Sequence, residues 1–266
     1  MALGAQDLVL LLFLLATIPC LALCFWIWRR RRFGVLFWVI LGIGGVCWYA
    51  AQIPKSVITL AYFNYAGIPL TAPREELYKN IGVLLMGAIS AGVFEESFKF
   101  IGLFAFRRRI QTLRDAICYG LGAGSGAGIL EAVLLSGAAY SIMSANPVEI
   151  TPDILAGPVE RISATLLHAA LTAIFAYLFF AKRPFLGFAT SAGYHTLVDF
   201  VAPWLLGSGV LMNIWAVEAV IAAFTIALYP VLFQLYVKSK STPMEAPAVS
   251  PASISPEPQP PQSSSP

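Results

Sequence analysis

A small set of ionisable side chains lies in stretches of the sequence that are otherwise almost entirely apolar. Such groups are costly to place in an apolar environment, so they usually mark either a functional site or a packed ion pair. The chain has 2 histidines, and both belong to this set. The full set is Glu95, Glu96, Lys99, Glu131, His168, His195, Asp199 and Glu218.

Spacing within each stretch predicts which of these side chains share a face of a helix. Glu95 and Lys99 are four residues apart, so a self-neutralising pair is their simplest interpretation. Glu96 points about 100° away from that face and has no such partner on its own helix. His195 and Asp199 are also four residues apart, so Asp199 could orient the imidazole or act as a ligand itself.

The residue types in this set are those of an open catalytic zinc site, whose ligands include two histidines and one glutamate. A further glutamate beside such a site can act as a general base on water, as peptide hydrolysis requires. The chain has no HExxH sequence, so a metal site would have to be assembled from several helices. The residue types alone leave three functions open: a hydrolase, a proton or ion pathway, and structural polar contacts between helices.

The apolar stretches that carry these residues make up most of the chain. Of its 266 residues, 58% are apolar and 12% are charged, and the mean hydropathy is +0.76. A soluble domain is about 45–50% apolar and about 25% charged, so this composition excludes a water-soluble enzyme, a disordered protein and a disulfide-rich secreted module. A membrane-spanning helix needs about 20 apolar residues. We predict an all-α membrane bundle of about seven transmembrane helices over residues 7–28, 33–52, 81–106, 115–138, 159–181, 185–206 and 210–236.

Basic residues predict how the bundle lies in the membrane. Arg29–Arg32 follow the first apolar run rather than preceding it, which argues against a cleaved signal peptide and places the N-terminus outside. Most other basic residues fall in loops on the cytoplasmic side, so we expect a cytoplasmic C-terminus and a multi-pass protein of the plasma membrane.

Residues 1–238 should form one transmembrane domain, in which 53–80 is a solvated outside connector or includes a short surface helix. The Pro- and Ser-rich tail 239–266 is expected to be disordered.

A glycine pattern in the fourth span predicts close helix packing. Gly120, Gly124 and Gly128 recur at every fourth position, which gives the helix a smooth face that another helix can approach closely. Glu131 lies on the same face, so a packing interface and a buried carboxylate can occur together there.

The depth of the ionisable groups indicates that they occupy one level of the membrane. At about 1.5 Å per residue, counted from the nearest cytoplasmic basic residue, four of these groups lie roughly 16–25 Å above the inner face of the membrane. A bilayer core is about 30 Å thick, so this level runs from its middle to its outer half. The groups are Glu96, Glu131, His168 and His195.

Four parts of the chain resemble motifs of the PrsW- and YhfC-type intramembrane proteases. The run Phe94–Phe100 resembles their EExxK motif. The glycine-rich span that ends on Glu131-Ala132 resembles the YhfC branch. Two further matches to known motifs are Glu160-Arg161 with His168, and His195 with Asp199 in a final HxxxN/D motif. The resemblance covers about residues 80–205 and extends to the broader superfamily of CAAX-processing and bacteriocin-processing (CPBP) membrane proteases.

The resemblance implies roles for the matching residues. Glu95 and Glu96 would activate water in the hydrolysis of a peptide bond. Glu131, His168 and His195 would bind a metal, with zinc as the expected ion, or would polarise the carbonyl and the oxyanion in a metal-free version. Asp199 stands where the family often has Asn, and it would support His195 or join the metal ligands.

Two alternatives to a protease remain open at this stage. The same superfamily includes the anterior-pharynx-defective scaffold subunit of gamma-secretase, which has seven spans and two intramembrane histidines but lacks the double glutamate. This chain retains Glu95 and Glu96, which favours an enzyme over a scaffold that holds partner membrane subunits. The second alternative is a transporter with a buried proton relay. For the protease, we expect a membrane-protein or lipidated-peptide substrate, contact with the lipid bilayer and no nucleic-acid partner.

Overall fold

The computed structural model describes residues 4–145, 151–211 and 213–239, and within these residues the fold is helical and contains no strand. This confirms the predicted all-α class. The predicted disordered tail falls outside the described residues except for Ser239. Two short 3₁₀ turns at Arg107–Arg109 and Pro152–Leu155 accompany the main helices. These are α1 (Ala5–Leu15), α2 (Ile18–Arg31), α3 (Leu36–Ala66), α4 (Arg74–Lys79), α5 (Ile81–Phe104), α6 (Leu113–Ala145), α7 (Ala156–Phe180), α8 (Pro184–Gly207) and α9 (Ile214–Lys238).

Within the described residues, 6 helical segments are long and apolar enough to cross a membrane. The protein is therefore an integral, multi-pass membrane protein. Helix α8 has 24 residues but is not among the six, because polar groups that include His195 and Asp199 lower its hydropathy. The seventh span and the orientation of the bundle stay predictions. The six segments are Gln6–Arg31, Leu36–Ala66, Ile81–Phe104, Leu113–Ala145, Pro152–Phe180 and Ile214–Lys238.

The main departure from the predicted boundaries is the length of α3. The apolar run suggested an end near residue 52, and Pro54 favours a helix end because proline removes a backbone donor. The helix nevertheless continues through Pro54 to Ala66 and stops at Gly67, whose φ of 65° suits a residue without a side chain. Lys55, expected in an outside connector, is therefore part of α3 and not of a loop. The short surface helix considered for this stretch is present as α4.

The glycine face of α6 packs directly on α7, as its spacing predicts. A Cβ atom at Gly120 would come within 2.7 Å of Ala173 Cα, and one at Gly128 within 2.6 Å of Thr165 Cα. Gly124 lies against the carbonyl of His168. Since only glycine permits such an approach, this face brings the Glu131 region of α6 next to His168 on α7.

Helix α5 carries the double glutamate and is held against α8. The side chain of Asn80 caps its N-terminus by accepting the N–H of Val83 at 3.2 Å. One turn before Glu95, Gly92 lies against Thr196 and the carbonyl of Ala192 on α8. This close approach sets both glutamates opposite the face of α8 that carries His195.

A buried aromatic core fills the bundle between the polar residues and its arginine-rich end. The rings of Phe100 and Phe175 stack with centroids 4.3 Å apart, and Phe179 lies 4.4 Å from Phe100. Leu103, Ile117 and other fully buried side chains complete this core. The polar residues therefore lie toward the opposite end of the bundle.

Candidate active site

Polar side chains from α3, α5, α6, α7 and α8 meet around one cavity of about 560 Å³. Its polar lining includes Lys55, Glu95, Glu131, Glu160, Arg161, His168, His195 and Asp199. Glu96 is fully buried and does not line the cavity. Glu218 on α9, which matches none of the motifs, also lies outside the lining. The structure therefore places five of the six predicted site residues in the lining of one cavity, and Glu96 is buried outside this lining.

The two histidines form the centre of this arrangement. Their ring centroids are 5.0 Å apart with an interplanar angle of 78°. Both side chains are buried, with 3% of each residue exposed. Their depth along the helices predicted that they lie at one level of the membrane. The packing of α7 and α8 also places them side by side.

Each nitrogen of His195 faces a carboxylate. Nδ1 lies 2.7 Å from Oε1 of Glu96. Nε2 lies 3.5 Å from Oδ2 of Asp199 and 3.9 Å from Oε2 of Glu95. A carboxylate at Nδ1 holds the proton on that nitrogen and leaves Nε2 free to accept a proton or bind a metal. Glu96 therefore orients His195 from behind, and Asp199 lies at its cavity side.

His168 bridges a cation and a carboxylate. Its Nδ1 lies 2.9 Å from Nζ of Lys99, and its Nε2 lies 2.7 Å from Oε2 of Glu131. An ammonium group can only donate, so Nδ1 accepts from Lys99 and the ring proton lies on Nε2, toward Glu131. A metal at Nε2 would displace this proton, as metal binding to histidine generally does.

The ion pairs of the double glutamate differ from the predicted ones. Lys99 Nζ donates to Oε1 of Glu96 at 2.5 Å, and both side chains are completely buried. Glu95 pairs instead with Lys55 of α3. The predicted Glu95–Lys99 pair is therefore wrong. Glu96, for which no partner on its own helix was predicted, pairs with Lys99. Spacings of three and four residues both make neighbours on a helix, so spacing could not decide between the two glutamates.

Three donors of α3 surround the carboxylate of Glu95. Trp48 Nε1 donates to Oε2 at 2.8 Å, while Gln52 Nε2 and Lys55 Nζ donate to Oε1 at 3.2 and 2.6 Å. None of these three residues was predicted from the sequence to belong to the site. Their spacing of four and then three residues was the available signal, but it predicts a shared face only if the helix continues past Pro54.

Glu131 is neutralised by an arginine that the sequence analysis did not assign to the site. Arg161 Nη1 lies 3.0 Å from Oε1 of Glu131. Arg161 also pairs with its neighbour Glu160. Glu131 thus accepts from His168 through one oxygen and from Arg161 through the other, which fixes its carboxylate at the cavity wall.

The chemistry of the donors fits a divalent metal. Among the described residues, Glu95, His168 and His195 each offer a ligand atom, these atoms lie within 4.8 Å of one another, and all three side chains are buried. Two imidazoles and one carboxylate are the protein ligands of many catalytic zinc sites. The predicted set was Glu131, His168, His195 and Asp199; the cluster shares its two histidines and adds Glu95. Glu131 and Asp199 adjoin the histidines, and their part in metal binding stays a prediction.

Fold and site together define a multi-pass membrane protein with a buried histidine–carboxylate centre. The family model described as YhfC intramembrane metalloprotease matches residues 12–146, and the chain belongs to this family. An uncharacterized membrane protein, YhfC, of Bacillus subtilis (strain 168) is 26% identical over 226 residues, which covers 74% of this chain and 83% of the relative. No solved structure matches the chain significantly. The matched family region contains Glu95, Glu96 and Glu131, while both histidines lie beyond it.

Proposed function

We propose that this protein is an intramembrane metalloprotease that hydrolyses a peptide bond of a membrane-associated substrate. The observation that carries the proposal is the buried group of Glu95, His168 and His195, whose ligand atoms lie within 4.8 Å of one another beside a cavity. The name of the family supports the same class of chemistry. Ionisable groups buried among membrane helices are costly, so a functional centre accounts for their number in one place.

Glu95, His168 and His195 would hold the metal, and their nitrogen and oxygen donors make zinc the proposed ion. When bound, zinc supplies Lewis acidity, polarising a carbonyl and bringing the pKa of a coordinated water to about 7. Glu96 holds the proton of His195 on Nδ1 and so turns Nε2 toward the cavity. In this assignment Glu95 is a ligand and Glu96 a positioning residue, whereas the family resemblance implied water activation by both.

We assign the general base to Glu131. Its Oε2 lies beside Nε2 of His168, and its carboxylate lines the cavity, so it can accept a proton from water there. Arg161 holds the other oxygen of Glu131 and also lines the cavity, where its charge favours the oxyanion that forms during peptide hydrolysis. Asp199 lines the same cavity, and 37% of its side chain is exposed, so it is accessible from the cavity.

The apolar part of the cavity lining suits an apolar peptide. It includes Leu84, Ala88, Leu167, Val198 and Ile221. Leu77 and Tyr78 of the surface helix α4 lie at the same cavity, at the end of the bundle away from the arginine-rich loops. A membrane-protein segment or a lipidated peptide could therefore place a peptide bond beside the polar residues of the lining. The plasma membrane remains the proposed location.

The first test is the metal content of the protein purified in mild detergent, measured by plasma mass spectrometry. We expect about one zinc per chain in the wild type and its loss in both His168→Ala and His195→Ala. Glu218→Gln is the matched control, because Glu218 is a buried carboxyl on α9 that does not belong to the ligand group. A folded wild type without metal would contradict the metal site and would leave a metal-free, glutamate-dependent hydrolase, the scaffold and the proton-relay transporter as the alternatives.

A further inference from the structure

We propose that Trp48, Gln52 and Lys55 of α3 are positioning residues that fix the carboxylate of Glu95 for metal binding. The proposal rests on the proposed function, because it assigns these residues to the same metal site. No motif of the sequence analysis includes them. We refer to the three residues as the α3 clamp.

The geometry of the α3 clamp supports this role. The three residues lie at positions i, i+4 and i+7 of one helix, so their side chains share a face. Each of them donates a hydrogen bond to Glu95, at 2.8, 3.2 and 2.6 Å respectively. Glu95 is 2% exposed, so these protein donors take the place of water.

The donors leave the carboxylate with a defined free position. An ionised carboxylate has about four acceptor sites. Lys55 and Gln52 occupy Oε1, and Trp48 occupies one site on Oε2. Oε2 is also the oxygen that lies 3.9 Å from Nε2 of His195. The remaining acceptor site is therefore on the oxygen nearest the ligand nitrogen of His195.

A purely structural contact between α3 and α5 would predict a different outcome from a positioning role. Hydrogen bonds to ligating carboxylates hold them in the orientation that the metal needs, and their loss typically weakens metal affinity or activity about 10- to 100-fold. A structural contact would change stability while leaving the affinity for metal unchanged. Trp48 and Gln52 carry no charge, so their replacement separates the two roles without leaving a cation or an anion unpaired.

The experiment measures zinc affinity by competition with a chromophoric chelator, on the purified full chain in detergent. Trp48→Phe and Gln52→Leu are expected to bind zinc about 10- to 100-fold more weakly, whatever the change in their melting temperatures after metal removal. Lys55→Arg should retain affinity because it keeps a donor and the charge, and Lys55→Met should not. The matched control is Trp38→Phe, since Trp38 lies on the same helix but packs on Trp28 and Phe37.

The possible outcomes separate this proposal from the proposed function. Zinc binding in the wild type with unchanged affinity in Trp48→Phe and Gln52→Leu would overturn the positioning role and leave the metalloprotease intact. Loss of affinity in these two variants, with retention in Trp38→Phe, would support it. A wild type that binds no zinc would overturn both. Equal weakening in Trp38→Phe would also overturn it, because the effect would then not depend on contact with Glu95.

Discussion

Replacing Lys99 by methionine should destabilise the protein by about 3–5 kcal/mol, the cost of removing one partner of a buried ion pair. Lys99 and Glu96 are completely buried, with 2.5 Å between Nζ and Oε1. Lys99 also lies 2.9 Å from Nδ1 of His168. Its loss would leave the carboxylate of Glu96 with the Nδ1–H of His195 as its remaining hydrogen-bond donor and would free a nitrogen of His168. The free energy of unfolding in mixed micelles, measured by denaturant titration, gives the value.

Two further variants decide whether the buried charge is the cause. Glu96→Gln combined with Lys99→Met removes both charges, and this double variant should recover part of the lost stability because no ion is left unpaired. Lys79→Met on the exposed end of α4 should change stability by less than about 0.5 kcal/mol. If Lys99→Met were as stable as Lys79→Met, the Lys99–Glu96 pair would have no structural importance.

Residue types and their period were enough to predict where most of the site lies. Histidines, carboxylates and one lysine in apolar stretches are rare, so each could be singled out without knowledge of the fold. The α6 glycines could be interpreted because a residue without a side chain at every fourth position mainly serves to let another helix approach closely. Depth along each helix follows directly from residue number, which is why His168 and His195 were expected at one level.

Partners across helices could not be predicted in the same way. Lys99 could pair with either Glu95 or Glu96 by spacing, and the choice depends on Lys55, which reaches Glu95 from another helix. Lys55 itself was assigned to a loop because the apolar run ends near residue 52. Pro54 also favours a helix end at this point, yet α3 continues past it. Arg161 was recognised only as part of a motif, since its contact with Glu131 depends on how closely the α6 glycines let α7 approach.

Glu131→Gln should lower the rate of peptide hydrolysis about 10²–10⁴-fold, the usual contribution of a general base. The amide keeps the shape of the side chain and can still accept the Nε2 proton of His168, and Arg161 keeps its second partner Glu160. We therefore expect a folded protein that retains its metal but does not activate water. The measurement is the abundance of new N-termini of membrane proteins, determined by mass spectrometry in cells that express either form.

Glu160→Gln is the matched control for this prediction. Glu160 also pairs with Arg161 and lines the cavity, but the described hydrogen-bond partners of His168 are Glu131 and Lys99. Its variant should produce the same new N-termini as the wild type. Cleavage by Glu131→Gln at the wild-type rate would rule out Glu131 as the base. Loss of metal together with cleavage would instead make Glu131 a ligand, because a base that only takes a proton from water leaves the affinity for metal unchanged.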